Sequence, residues 1–330
     1  MPHLRIHFTD ADLARTRLKL EADLMWEVVG SVQALQYAAG GLSFGSWRRR
    51  VRERVGEDGC LRAAVHSLVT VAPHASYFPD FLTPSAAVPD IGTGAELVLA
   101  TPRRRLRAEI RRLRPAGGAA KTWLEELADG KAAALRHLER ALRVYFRCLV
   151  EPHLDVIEQA LRIGCAAGVQ RYLHAGPEGL LGWLGPATRW GPPVLTVDYP
   201  IDRDLFLAGR GLVLIPSYFG VHHPVALADP RLPPVLVVPL HAGARLLAGR
   251  RGGDHVSALL GATRATILRS AVTGCTTTRL ARQAGVAPAT VSHHTNVLRE
   301  AGLITTDRHE NLATHLITPL GLAVLGPGGG

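Results

Sequence analysis

Residues 276–304 read TTTRLARQAGVAPATVSHHTNVLREAGLI, and this stretch decides the fold of the C-terminal part of the chain. Thr276-Thr277-Thr278 offers N-cap hydroxyls for a short helix running through Ala284. Gly285 supplies a tight turn, Val286 plugs inward, and Pro288 suits the first turn of a second helix. In that second helix Val291, Thr295 and Leu298 share one face at i, i+4, i+7 spacing. Ala289, His293, Asn296 and Glu300 fall on the opposite face, with Thr290 and Ser292 flanking. One helix, a three-residue turn and a second helix with a polar outer face make a helix-turn-helix. The second helix of such a unit enters the DNA major groove by its N-terminal end.

Working outward, SALLGATRATILRSAV at 257–272 places Leu259, Leu260, Thr263, Ile267, Leu268 and Ala271 roughly on one face of a preceding helix. After Gly302, Leu303–Thr306 and Ala313–Thr318 favour strands and are separated by polar Asp307–Asn311, which predicts a two-stranded wing. Thr318-Pro319 opens a last short helix. Small side chains at Ala289, Thr290 and Ser292 let the second helix approach base edges. His293 and Asn296 can hydrogen-bond bases or phosphates, and the helix start at Pro288 favours a phosphate. The expected DNA-binding residues are Thr277, Thr278, Pro288, Ala289, Thr290, Ser292, His293, Asn296 and Arg299, joined by Arg308, His309 and Asn311 at the wing tip.

The remainder of the 330 residues has a different texture. Leu4 to Phe8 alternates, and Thr9 with Asp12 three residues on resembles a capping box before a charged helix. From Asp23 the apolar residues Leu24, Met25, Val28, Val29, Val32 and Leu35 recur at helical spacing. Thr101-Pro102 reads as another helix start, and 131–149 and 153–173 read as helices. Near Gly191 the pattern changes, and Val194–Val197, Leu212–Ile215 and Val235–Val238 read as buried strands. The predicted fold class is α+β: a mostly helical N-terminal domain with a small β-sheet, then a winged helix-turn-helix. The expected boundaries are 1–247 (helical to 190, strand-containing from 191), a Gly/Arg-rich linker at 248–255, the winged helix at 256–325 and a disordered tail at 326–330.

Composition bounds the partners. Lys and Arg number 38 against 28 Asp and Glu, a formal net charge of +10. Lys19, Lys121 and Lys131 are the only lysines, so the excess is almost all arginine, as GC-rich coding would also produce. No run approaches a membrane span of about 18 apolar residues, and the N-terminus has no secretory h-region. The 4 cysteines form no CxxC pair, so a zinc ribbon and a disulfide scaffold lose support and a reducing cytoplasm fits.

Residues 256–324 resemble the winged helix of the ArsR family of bacterial regulators. The resemblance is carried by LLGATRATIL, by the 276–304 stretch and by TTDRHENLATHLITPLG. The whole chain is similar to the long actinobacterial members with a large N-terminal domain of unknown function, through HASYFPDFLTP at 74–84, Leu142–Phe146 and GRGLVLIPSYF at 209–219. The resemblance implies a DNA-binding transcriptional regulator. Two departures matter. The family's Cys-x-Cys metal site is missing, with only Cys275 nearby, and Pro319–Leu325 is too short for the C-terminal helix that binds metal or seals a dimer in other members. No metal and no cofactor are therefore expected, and dimerisation moves to the N-terminal domain. Thr295 stands where the family usually has Leu.

Other motifs carry less. GLSFG at 41–45 matches a nucleophile elbow but follows a helix-like stretch rather than a strand. His309 to His315 misses HExxH spacing by two positions. Adjacent His222 and His223 would point to opposite faces of a strand. The expectation is a cytoplasmic homodimeric repressor of a double-stranded DNA operator, not an enzyme and not at a membrane. Its N-terminal domain is expected to sense a small organic effector in a pocket walled by Trp183, Trp190, Tyr199, Tyr218, Phe219 and His222. The alternative is a ligand-independent regulator whose N-terminal domain only dimerises. A remoter one is an enzyme fused to a DNA-binding module.

Overall fold

Leu4 and Ile6 alternate with His3, Arg5 and His7, and this period of two makes the first element a strand whose apolar side chains are wholly buried. The structure is a computed structural model that describes residues 2–37, 41–74, 77–86, 88–113, 117–220, 223–240, 255–309 and 312–325. The chain divides into two compact units, Met1–Arg245 and Leu246–Gly330.

The N-terminal unit runs β1 (His3–His7), α1 (Asp10–Arg15), β2 (Arg17–Leu18), α2 (Leu24–Gln36), α3 (Gly41–Glu57) and α4 (Gly59–Val71). It continues through α5 (Ile91–Leu99), α6 (Arg103–Ile110), α7 (Gly118–Ala128), α8 (Ala132–Tyr145) and α9 (Leu154–Leu181). Six short strands close it: β3 (Thr188–Gly191), β4 (Val194–Asp198), β5 (Arg203–Phe206), β6 (Val213–Ser217), β7 (Val225–Ala226) and β8 (Val235–Pro239). Two four-stranded sheets form, in the orders β3-β4-β1-β5 and β2-β6-β8-β7. In the first, β1 lies antiparallel to β4, with Ile6 opposite Leu195, and parallel to β5. In the second, β2, β6 and β8 are parallel and β7 is antiparallel to β8. Leu4, Ile6, Leu195, Val197, Leu214 and Leu236 share one core with Leu180 and Leu181 from the end of α9.

This unit matches the α+β expectation, with corrections. Residues 1–190 are not uniformly helical, because His3–His7 is an inner strand and Thr188–Gly191 an edge strand. The first strand finds its partners some 190 residues away, which local periodicity does not encode. Thr101 is not the cap of α6; Pro102 occupies that position without a side-chain bond. The 131–149 helix ends at Tyr145 and passes into a π-helical turn, Phe146–Val150. The helix expected over 153–173 is present from Leu154; non-helical backbone at Ala175 and Gly176 ends it, and a further helical stretch runs on to Leu181. The GLSFG stretch lies in α3, which removes the strand-turn geometry a nucleophile elbow needs. The Thr9–Asp12 capping box is present, and Asp23 caps α2 by accepting from the Trp26 N–H at 3.3 Å.

The C-terminal unit comprises α10 (His255–Leu260), α11 (Ala262–Ser270), β9 (Cys275–Thr276), α12 (Thr277–Ala284), α13 (Pro288–Glu300), β10 (Ile304–His309), β11 (Leu312–Ile317) and α14 (Pro319–Leu325). Its three strands order β10-β11-β9. Ile267, Leu268, Leu280, Val291, Leu298 and Ile304 form its core, each at most 1% exposed. The single helix expected over 257–272 is two helices. Gly261 breaks it at φ +81°, and Leu259 is swung out to 75% exposure. The wing strands reach further into 307–311 than expected, since Asp307 pairs with Thr314 and His309 with Leu312. Asn311, His222, the tail 326–330 and all of the linker but His255 lie outside the described residues.

Candidate nucleic-acid interface

Helices α12 and α13 are joined through Gly285, which sits in the left-handed region at φ +65° and ends α12. Val286 packs partly buried on the core, as the sequence led one to expect. Val291, Thr295 and Leu298 are buried along one side of α13, so the opposite side is free. Pro288, Ala289, Thr290, Ser292, His293, Asn296 and Arg299 are all exposed. Ala287 caps α13 without any side-chain bond, so the first turn presents open backbone and small side chains to solvent.

The polar groups on this face are partly committed to one another. Ser292 Oγ donates to the Pro288 carbonyl at 3.1 Å. Asn296 Nδ2 donates to Glu300 Oε1 at 3.1 Å, while Arg299 donates to Asn296 Oδ1. His293 points outward with its ring 5.6 Å from that of His294. His294 is half-buried, and burial, with Arg264 and His293 beside it, holds it below the ordinary histidine range.

Thr276 does not cap α12 with its hydroxyl. Thr278 is exposed at the start of that helix, whereas Thr277 turns inward. The Thr277 hydroxyl meets His315 Nε2 at 3.0 Å, and Thr306 meets His315 Nδ1 at 3.0 Å. His315 is 4% exposed. Hydroxyls either donate or accept, so one neutral imidazole satisfies both. This bridge fastens the wing to α12, and sequence reasoning missed it: His315 stood only as half of a mis-spaced zinc motif. Arg308 and His309 lie at the end of β10. Residues 255–325 hold six arginines and no lysine against Glu300, Asp307 and Glu310, a basic balance suited to a phosphate backbone.

The residues expected to wall an effector pocket separate. Tyr199 and Phe219 line a cavity of about 310 Å³ in the N-terminal unit. Trp183 and Trp190 pack instead on the core between the sheets, and the Trp190 indole donates to Glu178 at 3.2 Å. Tyr218 turns its ring onto Phe44, with centroids 5.8 Å apart. The cavity is built largely from residues the sequence did not single out: Trp26, Gly30 and Gln33 at i, i+4, i+7 along α2, with His74 and Phe78. Their helical spacing was visible, but it reads equally as core. Among the described residues no cluster of three or more His, Cys, Asp or Glu could hold a metal. No helix of the described residues is long and apolar enough to cross a membrane.

Residues 263–306, from α11 through the start of β10, match the family model described as bacterial regulatory protein, arsR family. No curated protein and no solved structure matches the chain. The C-terminal unit is thus an arsR-family regulator domain following a large N-terminal region, and it makes this chain a DNA-binding transcriptional regulator.

Proposed function

We propose that this protein is a cytoplasmic, homodimeric repressor that reads a pseudo-palindromic operator through α13. The observation that carries the reading is the solvent-facing side of that helix. Small residues at its open N-terminal turn precede His293 and Asn296, over an inner face buried at Val291, Thr295 and Leu298. Major-groove readers need close backbone approach followed by side chains able to pair with base edges. Thr278, Thr290, Arg299 and the wing residues Arg308, His309 and Asn311 would hold adjacent phosphates. Seven residues in α14 are too few for a dimer seam, so the N-terminal unit supplies the dimer contact.

The N-terminal unit also senses a small organic effector, a role supported by the apolar cavity containing Tyr199 and Phe219. A ligand that favours one dimer geometry would shift DNA affinity by its differential affinity for the two states. The test is fluorescence anisotropy of the full chain on the duplex upstream of its own gene, beside a scrambled duplex of equal length, over a salt series. Preference for the native duplex at physiological salt is expected. Equal, steeply salt-dependent binding to the native, scrambled and selected random-sequence duplexes would overturn it.

A further inference from the structure

We infer that the cavity between α2 and the carboxyl ends of β6 and β8 binds an uncharged, planar aromatic molecule bearing a hydrogen-bond-accepting oxygen. Its place in the fold is the first argument. Ser217 ends β6, Pro239 ends β8, and both line the cavity. Parallel strands present ligands at their carboxyl ends, where the chain leaves the sheet. At about 310 Å³ the volume falls at the small end of ligand sites.

The walls are held rigid before any ligand arrives. The turn after β6 is clamped by Glu27, which is fully buried in α2: it accepts from the Tyr218 N–H at 2.7 Å and from the Phe219 N–H at 3.0 Å. Gly30 lets Phe219 close on the helix, because a Cβ there would stand 3.2 Å from the Phe219 Cβ. On the other side Gln36 donates to the Ala72 carbonyl at 3.0 Å and accepts from the His74 N–H at 2.9 Å, which fixes His74 beside Tyr37. The Tyr199 hydroxyl donates to the Ala226 carbonyl at 3.3 Å. A site shaped in advance pays little ordering entropy on binding.

The chemistry of the lining selects the ligand. Among its described residues there is no Lys, Arg, Asp or Glu, so a cation would be stripped of water with no counter-charge, and an anion would find one only in a protonated His74 or His223. Trp26, Phe78, Tyr199 and Phe219 offer ring faces and edges, with Trp26 and Phe78 set edge-on at 5.8 Å. Three polar groups of the lining are left over, the Trp26 indole, the Gln33 amide and the His74 ring, and each can donate. Trp26 is 5% exposed, and neither its indole N–H nor the Gln33 amide makes a hydrogen bond among the described residues. A carbonyl or phenolic oxygen would satisfy them.

Binding here is the molecular form of the sensor role proposed above and rests on that role for its regulatory consequence alone. The test is calorimetric titration of the full-length protein, without DNA, with 2-naphthol. Naphthalene serves as the oxygen-free comparator, and 2-naphthoate and benzyltrimethylammonium as charged ones. One 2-naphthol per chain is expected, with both ions at least tenfold weaker. Trp26→Phe should narrow the preference for 2-naphthol over naphthalene, read as the ratio of their affinities in the same variant. If Trp26→Phe does not fold, Gln33→Leu is read the same way, from a half-buried position. No saturable binding of either neutral probe, tighter binding of either ion, or an intact 2-naphthol preference in the variant overturns the assignment. Anisotropy on operator DNA with the same preparation separates the two readings. DNA preference without probe binding sinks the cavity alone, and probe binding without DNA preference sinks the regulator alone.

Discussion

At the scale of single residues, His293 and Asn296, the side chains proposed to discriminate bases, differ in freedom. Asn296 already bonds Glu300 and Arg299, so a base must displace an internal partner, whereas His293 has no such tie among the described residues. The double change His293→Ala, Asn296→Ala should weaken specific binding by about 1–3 kcal/mol, tenfold or more, with circular dichroism unchanged. Unaltered operator affinity in a folded variant refutes the contact assignment. Glu27 makes a second prediction. Burial pushes its carboxyl from the ordinary 4.5 up to about 7, against the Phe219 and Tyr218 N–H groups, which favour the anion. The folded chain therefore holds a proton that the unfolded chain has lost between those values. That contribution to stability is complete below about pH 4.5 and falls away as pH rises through about 7, on the order of 3 kcal/mol in all. Glu27→Gln stays neutral, so the gap in melting temperature between wild type and variant should narrow from about pH 5 to about pH 8. A gap that stays constant over that range would show that Glu27 does not titrate there.

At the scale of elements, the turn between α12 and α13 and the pinning of the wing set the geometry. A Cβ at Gly285 would meet nothing within 4 Å, so Gly285→Ala introduces only the left-handed strain of its φ of +65°. It should cost about 1–2 kcal/mol in the stability of the C-terminal unit, read by chemical denaturation, and leave the contacts of the folded helix intact. His315→Phe keeps the ring but leaves the Thr277 and Thr306 hydroxyls without their shared partner. The expected loss is about 2 kcal/mol of stability. DNA affinity should fall although His315 itself is buried; a stability loss with undiminished affinity would mean that the wing does not need this anchor.

At the scale of the whole molecule, one α13 per chain requires two chains to read two half-sites about 34 Å apart or a multiple of that. Light scattering should return twice the chain mass, and a duplex with one half-site should bind far more weakly than one with two. Each unit has a core of its own, Ile267 to Ile304 in one and the two-sheet cluster in the other, so calorimetry should resolve two unfolding transitions. One transition with a single van't Hoff enthalpy would show that the units unfold together.

Much of the C-terminal unit was legible, because the contacts that define it lie within about 70 positions and most of its elements are announced by local signals. The Val291–Thr295–Leu298 face, the Gly285 turn, the Pro288 start and the alternating wing each follow from periodicity or from the steric demands of one residue type. The sequence also marked β4, β6 and β8 by their apolar runs, and the cap of α1. Other features depended on distant partners and were decided only in the tertiary structure. Leu4 to Phe8 is a strand edge until Leu195 and Leu205 close over it. Gly261 could have continued a helix, but its backbone turned to φ +81°. His315 is an anchor only because Thr277 and Thr306 meet at its two nitrogens. Trp26 and Gln33 border a cavity because α2 faces the turn after β6, which Glu27 holds through the Tyr218 and Phe219 N–H groups. Periodicity reports which face of an element avoids water, while what that face meets is set by chain segments too far away in sequence to leave a local mark.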